Sequence, residues 1–310
     1  MVDPERPRLG RFRERLAKLI PCDPEDARAD LHKMGPRELL RCYVNWADRY
    51  VAPRPRRVVT WDGFLRHGSA QRHLDAVREL AKRIEAGLDL RPFLSEDIDR
   101  FGYIRPKVSK KRGAIQWEPV KDYALNAFET HHLHLSTHIR ADGWSKRTDE
   151  LLYVIFSRDR AFLVMVGDHH RFDDGTLAQA IAKARVGTSL ELKGLLGPAL
   201  PRTMREHNQL QRRGLSTAYQ AGEQMVLGAD LSMSGISPLH SRHVDCVIDF
   251  MSATDPQIDI PGFGREWFEG NGWEYPATPT FEWSMRYCDL WLDETSTGKG
   301  FLMAPVKWRR

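Results

Sequence analysis

The sequence predicts an α+β fold: a helical N-terminal region, a small central antiparallel sheet with a flanking helix, and an irregular C-terminal region. Apolar residues recur at helical spacing in several segments before residue 87, which indicates amphipathic helices. Three short apolar runs between residues 131 and 167 instead have the length and composition of strands. We therefore expect three consecutive regions, at residues 1–121, 122–186 and 187–310.

The N-terminal region carries four strong helix signals, one of which is Asp23, a capping carboxylate followed by Pro24 in the first turn. A basic amphipathic segment at residues 11–19 ends before Pro21, and Pro36 opens a second helical segment. Residues 69–86 have one apolar face and are followed by Gly87, a residue that commonly ends helices. All of these helices are expected to be structural. The remaining expected elements of this region are an extended run at residues 58–61, a short helix after Ser95 and a brief extended segment at residues 115–117.

The central region alternates between strands and tight connections. Residues 131–136, 151–157 and 161–167 are the expected strands, and the short link at 157–160 predicts an antiparallel hairpin. A helix is expected to begin after residues 173–175 and to pack back on the sheet. Beyond the central region, the expected elements are a helix at 202–213, an extended segment at 218–227, a helix at 240–251, and strands at 287–292 and 300–305.

Composition indicates a soluble protein without a membrane partner. Of the 310 residues, 41% are hydrophobic and 29% are charged, and no apolar run reaches the roughly 18 residues that a membrane helix needs. The N-terminus has no apolar stretch typical of a secretory signal. Four scattered cysteines without a CxxC pair are typical of reduced thiols. We expect a cytoplasmic protein.

The positive charge gives weak support for an anionic partner. The net charge is +5, and basic residues cluster at 54–57, 107–112 and 202–213. Such clusters are more often solvated surface than a nucleic-acid footprint, so the charge alone favours RNA only weakly.

Histidines are concentrated in the central region. Six of the twelve lie close to the ends of the expected strands: His131, His132, His134, His138, His169 and His170. Alternate side chains of a strand share a face, so His132 and His134 should point together while His131 points away. If the first and third central strands are neighbours, the imidazoles of both histidine clusters should converge at one edge of the sheet.

Acid–base chemistry on RNA is the favoured interpretation of this edge. Cleavage through the ribose 2′-hydroxyl requires a proton acceptor, a proton donor and a cation, and histidine suits both proton transfers. His132 and His134 would share these proton transfers with His169. Lys146 or Arg147 would stabilise the charge of the phosphate. No cofactor is needed, and the chain contains no nucleotide-binding fingerprint. The predicted catalytic residues are His132, His134, Arg147 and His169, and the predicted supporting residues are Lys146, Asp149, Asp168 and His170.

Two other interpretations stay open. His132, His134, Asp168 and His169 offer imidazole and carboxylate ligands that zinc, iron or manganese accept, although His-x-His is a weak motif. Alternatively, the histidines are partly buried polar residues whose hydrogen bonds are satisfied by the backbone and by Asp168.

Three segments carry a resemblance to known proteins. HHLHLS at 131–136, KRTDELLYV at 146–154 and GDHHRFDD at 167–174 resemble uncharacterised bacterial and prophage-associated proteins. The arrangement of helices followed by a small sheet with histidines at its edge is similar to toxin-type ribonucleases, including RelE-like and EndoU-like proteins. This likeness implies histidine acting with Lys, Arg or Ser, often without a metal.

A separate motif points to a different reaction. HHRFDDG at 169–175 fits HHxxxDG, which resembles the general-base motif of chloramphenicol-acetyltransferase-like enzymes. That resemblance implies His170 as the base and Asp174 as a structural residue.

The sequence therefore predicts a toxin-like, metal-independent ribonuclease that acts in phage defence or in a toxin–antitoxin pair. RNA and a protein partner such as an antitoxin are the expected partners. The alternatives are a metal-dependent hydrolase that uses the same histidines, and a non-enzymatic binding or regulatory protein.

Overall fold

The structure is a computed structural model, and it describes most of the chain. The described residues are 6–66, 69–105, 122–172, 174–186, 218–227, 231–232, 235–306, and the isolated positions 192, 203, 206–207, 209–210, 213 and 215. The predicted extended segment at 115–117 lies outside the described residues, as does most of the predicted helix at 202–213.

In chain order, the helices of the described residues are α1 (Pro7–Leu19), α2 (Arg28–Lys33), α3 (Pro36–Ala47), α4 (Leu74–Ala86), α5 (Asp97–Arg100), α6 (Tyr123–Phe128), α7 (Thr176–Arg185), α8 (Pro238–Thr254) and α9 (Arg265–Gly270). Most of them follow the sequence signals, but α6 and α9 were not predicted. Prolines stand in the first turns of α1 and α3, where no helical hydrogen bond is lost. Helix α4 ends at Gly87, whose φ of +70° favours glycine.

The strands form separate small sheets. They are β1 (Arg57–Thr60), β2 (His131–His134), β3 (Glu150–Phe156), β4 (Arg160–Asp168), β5 (Ala218–Ala221), β6 (Gln224–Leu227), β7 (Phe281–Arg286), β8 (Asp289–Glu294) and β9 (Lys299–Ala304). With helices and strands largely segregated along the chain, the α+β class is confirmed.

The chain divides into two compact units built from discontinuous segments. The first unit contains residues 1–48, 99–107 and 239–308, and the second contains 49–98, 108–238 and 309–310. This division differs from the three consecutive regions that the sequence predicts. The reason is a shared hydrophobic core, in which Phe12 and Val44 from the N-terminal helices pack with Val247 and Trp283 from the C-terminal part.

The first unit has a more regular C-terminal part than the sequence suggests. Strands β7, β8 and β9 form an antiparallel sheet in that order, and β7 was not among the predicted strands. In β7 the apolar residues Phe281, Trp283 and Met285 alternate with polar ones. That alternation is the period-two signal of a half-buried strand.

The second unit contains the four-stranded sheet that carries the histidines. Its strand order is β1-β4-β3-β2. The hairpin of β3 and β4 is antiparallel as predicted, and β2 also pairs antiparallel with β3. Strand β1 pairs parallel with β4, so the sheet is antiparallel only among its three central-region strands. About a hundred residues separate β1 from β4 in sequence, which is ample for a parallel crossover.

Each face of this sheet has its own hydrophobic core. On one face, Leu80 and Ile84 of α4 pack with Leu152 of β3. On the other face, Leu177 and Ile181 of α7 pack with strand residues, among them Leu151 and Tyr153 of β3. The second face is the one that carries His132 and His134, since these residues are paired with Tyr153 and Leu151.

Candidate active site

The imidazoles converge across an intervening strand. Because β3 lies between β2 and β4, the first and third central strands are not neighbours, so the condition under which the sequence predicts convergence is not met. Convergence occurs all the same: the ring centroids of His132, on edge strand β2, and His169, just beyond the end of β4, are 5.7 Å apart. The histidines of β2 and those that follow β4 therefore meet at one edge of the sheet, and we refer to His132, His134 and His169 together as the histidine cluster.

His132 has a carboxylate beside it. Its Nδ1 lies 3.6 Å from Oδ2 of Asp122, and both side chains are largely shielded from solvent. The other oxygen of Asp122 accepts a hydrogen bond of 3.0 Å from the backbone N–H of Leu125, which caps the first turn of α6. One carboxylate thus anchors a helix and balances the charge of His132 when that ring is protonated.

Buried Tyr153 lies on the neighbouring strand, on the same face of the sheet as His132. It is directly opposite His132 in the β2–β3 register, and the two ring centroids are 6.4 Å apart. Its hydroxyl donates a hydrogen bond of 2.9 Å to the backbone carbonyl of Asp168. Burial, together with the nearby carboxylates of Asp122 and Asp168, raises the pKa of Tyr153 above its ordinary value. This phenol stays protonated and acts as a structural donor.

His134 is in a different state from His132. It is 3% exposed, and its Nδ1 accepts a hydrogen bond of 3.1 Å from the backbone N–H of Thr148. Burial, with contributions from the positive charges of His132 and Arg147, lowers the pKa of His134 to about 4. His134 is therefore neutral at pH 7, and its proton is on Nε2.

His169 retains a solvent-exposed side. Partial burial of its ring, followed by the positive charges of His132 and Arg147, lowers the pKa of His169 below the ordinary 6.5. The carboxylates of Asp122 and Asp168 act in the opposite direction but do not outweigh these effects. Arg147 is itself exposed, and its positive charge contributes to the lowered pKa of both His134 and His169.

The predicted supporting residues have mostly structural surroundings. Asp168 accepts a hydrogen bond of 2.9 Å from the backbone N–H of His170 and lies 3.6 Å from Nε of Arg171. The side chain of His170 is exposed on this turn. Lys146 and Asp149 are exposed as well, and among the described residues no contact joins them to the imidazoles of His132, His134 and His169.

Asp174 lies just before α7 and binds the first residue of that helix. Its Oδ1 accepts a hydrogen bond of 2.8 Å from the backbone N–H of Thr176, and its Oδ2 lies 3.0 Å from Arg171. His131 lies on the opposite face of β2, as predicted, where its ring meets Phe156 edge-on at 5.3 Å.

Sequence reasoning missed Asp122, Thr148 and Tyr153. Asp122 immediately precedes an apolar helical run, so its capping role was open to prediction. Thr148 and Tyr153 lie in or next to a segment recognised as a strand, but their partners are distant in sequence. No local pattern indicates such contacts.

The geometry offers weak support for a metal centre. Among the described residues, no group of three or more His, Cys, Asp or Glu side chains is arranged to hold a metal ion. Two of the predicted ligands already accept hydrogen bonds: Asp168 from the backbone N–H of His170, and Nδ1 of His134 from the backbone N–H of Thr148.

Comparisons with protein-family models, with curated proteins and with solved structures found no match. In the described part of the chain, no helix combines the length and apolar character needed to cross a membrane.

Proposed function

We propose that this protein is a metal-independent, toxin-like ribonuclease that cleaves RNA through the ribose 2′-hydroxyl. The observation that carries the proposal is the pair His132 and His169, whose rings are 5.7 Å apart. Transfer at phosphorus requires the attacking and leaving oxygens to be roughly in line. Two imidazoles a short distance apart can serve the two oxygens separately.

His169 is the proposed general base. Because its pKa is lowered, it is neutral near pH 7 and able to take the proton of the 2′-hydroxyl. The 2′-oxygen then attacks phosphorus, and the bond from phosphorus to the 5′-oxygen breaks.

His132 is the proposed general acid. The carboxylate of Asp122, 3.6 Å from Nδ1, balances the positive charge of the imidazolium. The proton of His132 passes to the departing 5′-oxygen. The products are a 2′,3′-cyclic phosphate and a 5′-hydroxyl.

Arg147 and His134 are the proposed stabilisers of the phosphate. Arg147 contributes a permanent positive charge that acts on both His134 and His169. Neutral His134 contributes an Nε2–H donor whose position is fixed by burial. This assignment differs from the role in proton transfer that the sequence predicts for His134, since a ring with a pKa of about 4 exchanges no proton near neutral pH.

A cell must control an enzyme that cuts its own RNA, so a neutralising protein partner belongs to the proposal. The expected settings are phage defence and a toxin–antitoxin pair. The net charge of +5 is compatible with an RNA substrate.

The proposal is tested by RNA cleavage in the presence of EDTA. We expect cleavage that leaves a 2′,3′-cyclic phosphate, and no cleavage of the same sequence made with 2′-deoxyribose. His132→Ala and His169→Ala should each lower the rate about 100-fold or more. His138→Ala removes an exposed histidine outside the cluster and should leave the rate unchanged.

Two outcomes would favour the alternatives. Stoichiometric zinc, iron or manganese in the purified protein, lost in His134→Ala together with activity, would favour a metal-dependent hydrolase. Full biological activity of both His132→Ala and His169→Ala would exclude either enzyme and leave a binding or regulatory role.

A further inference from the structure

Thr148 links the end of β2 to the start of β3. It precedes β3 by two residues, and its Oγ1 donates a hydrogen bond of 2.6 Å to the backbone carbonyl of Glu150. The same Oγ1 accepts a hydrogen bond of 3.1 Å from the backbone N–H of Leu135, which follows β2. One hydroxyl therefore joins the two strands at the edge that carries His134.

The hydrogen bonds of Thr148 determine which nitrogen of His134 carries the proton. The single hydroxyl proton of Thr148 is used by Glu150, so Oγ1 cannot also donate to Nδ1 of His134, 3.4 Å away. The backbone N–H of Thr148, at 3.1 Å, is the donor to Nδ1. A nitrogen that accepts a hydrogen bond carries no proton, so the proton of neutral His134 is on Nε2.

We propose that Thr148 is a positioning residue that holds His134 as the Nε2–H tautomer, aimed at a non-bridging oxygen of the substrate phosphate. This inference rests on the proposed ribonuclease function for the identity of the ligand. The tautomer itself rests only on the hydrogen bonds of Thr148. An opposite tautomer would place two N–H groups face to face at 3.1 Å, which a buried site does not tolerate.

The side chain of Thr148 sets the direction of its own backbone N–H. Bonded at once to Leu135 and Glu150, the hydroxyl fixes the local backbone at a point where the regular β2–β3 ladder has ended. Without the hydroxyl, the backbone N–H loses this restraint, and so does the ring of His134.

Nitrogen-15 NMR of the histidine rings tests the tautomer in the full-length protein. At pH 7 the wild-type protein should show His134 with a protonated Nε2 and an unprotonated, hydrogen-bonded Nδ1. Thr148→Val keeps the branched shape but removes the hydroxyl, and His134 should then show a mixture of tautomers. Thr148→Ser retains the hydroxyl and should restore the single tautomer.

Activity measurements separate this inference from the proposed function. We expect Thr148→Val to lower kcat about 10-fold, with Thr148→Ser close to wild type. Wild-type His134 protonated on Nδ1 would overturn the inference without any need for a variant. A single Nε2–H tautomer and unchanged activity in Thr148→Val would also overturn it. If the tautomers behave as expected but no form of the protein cleaves RNA, the proposed function fails while the positioning role of Thr148 stands.

Discussion

Residues of the same type carry different chemistry within the histidine cluster. His132 is beside a carboxylate, one nitrogen of buried His134 accepts a hydrogen bond, and His169 is partly exposed with a pKa lowered below its ordinary value. The pKa of a histidine is set by burial and neighbouring charge rather than by its place in a motif. The side chains are therefore expected to differ in measurable ways.

The pH dependence of activity should depend on Arg147. The positive charge of Arg147 contributes to the lowered pKa of His169, so Arg147→Gln should raise that pKa. The ascending limb of the kcat/KM profile reports deprotonation of the base, and it should therefore move to higher pH in this variant. The maximum rate should also fall about 100-fold, because a phosphate-stabilising charge is lost.

Lys146→Gln is the matched comparison for Arg147→Gln, since it removes the adjacent exposed charge. We expect its ascending limb to remain at the wild-type pH. If the ascending limb of the kcat/KM profile moved in Lys146→Gln but not in Arg147→Gln, Arg147 would not be the charge that lowers the pKa of His169.

Buried His134 should make the protein sensitive to acid. Its pKa is about 4 in the folded protein and near 6.5 in an unfolded chain. As the pH falls below 6.5, the unfolded chain takes up this proton first, so stability is lost between pH 6.5 and about 4 and then levels off. The loss from this group amounts to roughly 2 kcal/mol at pH 5.

Denaturant unfolding at pH 7 and pH 5 measures this effect. His134→Gln keeps an acceptor for the backbone N–H of Thr148 but cannot titrate. The difference in unfolding free energy between the two pH values should therefore be smaller in His134→Gln than in the wild type. Equal differences in the two proteins would show that His134 is not the acid-sensitive group.

At the scale of secondary-structure elements, single carboxylates fix the ends of several segments. Asp122 caps α6 beside His132, and Asp174 accepts a hydrogen bond from the backbone N–H of Thr176 at the start of α7. Both helices therefore begin close to the part of the sheet that carries the histidines. A single carboxylate also stabilises a turn in the first unit, far from the histidines in sequence.

Glu294 should be the main support of the turn between β8 and β9. Its carboxylate accepts hydrogen bonds from the backbone N–H groups of Thr280, Ser296 and Thr297 and from the hydroxyls of Ser296 and Thr297. Burial alone would raise the pKa of Glu294, but these hydrogen bonds outweigh it and lower the pKa to about 2. The stabilisation is present above about pH 4.5 and is lost as the pH falls toward 2.

Glu294→Gln should lower the free energy of unfolding by about 2–4 kcal/mol at pH 7, because an amide cannot accept all of these hydrogen bonds. Denaturant unfolding measures the loss. Asp293→Asn is the control, since Asp293 forms a more exposed ion pair of 2.7 Å with Arg286 and should contribute less than about 1 kcal/mol. Equal losses in the two variants would contradict the role of Glu294.

At the scale of the whole molecule, the first and last parts of the chain depend on one core. Trp283 of β7 is fully buried in the same cluster as Phe12 and Leu16 of α1. Its Nε1 donates a hydrogen bond of 2.9 Å to Asp255. Contacts of such large sequence separation make the N-terminal helices dependent on the C-terminal sheet.

Trp283→Ala should therefore destabilise α1 although the substitution lies more than 260 residues later in the chain. Removing a buried tryptophan costs about 3–5 kcal/mol, and hydrogen exchange of the α1 amides should speed up accordingly. Trp291→Ala, which removes a half-exposed ring stacked against Arg286, should have a smaller effect. Unchanged exchange of α1 in Trp283→Ala would contradict the shared core.

The sequence by itself determined the local features of this protein. Period-two alternation separated His132 and His134 from His131, and apolar periodicity with proline and glycine boundaries located α1, α3 and α4. The β3–β4 hairpin followed from a short connection. These features depend on neighbours in sequence, and for that reason a single sequence contains their signals.

Only the tertiary structure decided the order of the strands and the surroundings of the histidines. The order β1-β4-β3-β2 puts β3 between the two histidine clusters, yet His132 and His169 meet across it. The partners Asp122 and Thr148 reach their histidines through packing of residues 10 and 14 positions apart. Pairing energies of this kind depend on which surfaces are buried together, and no local pattern in the chain specifies that choice.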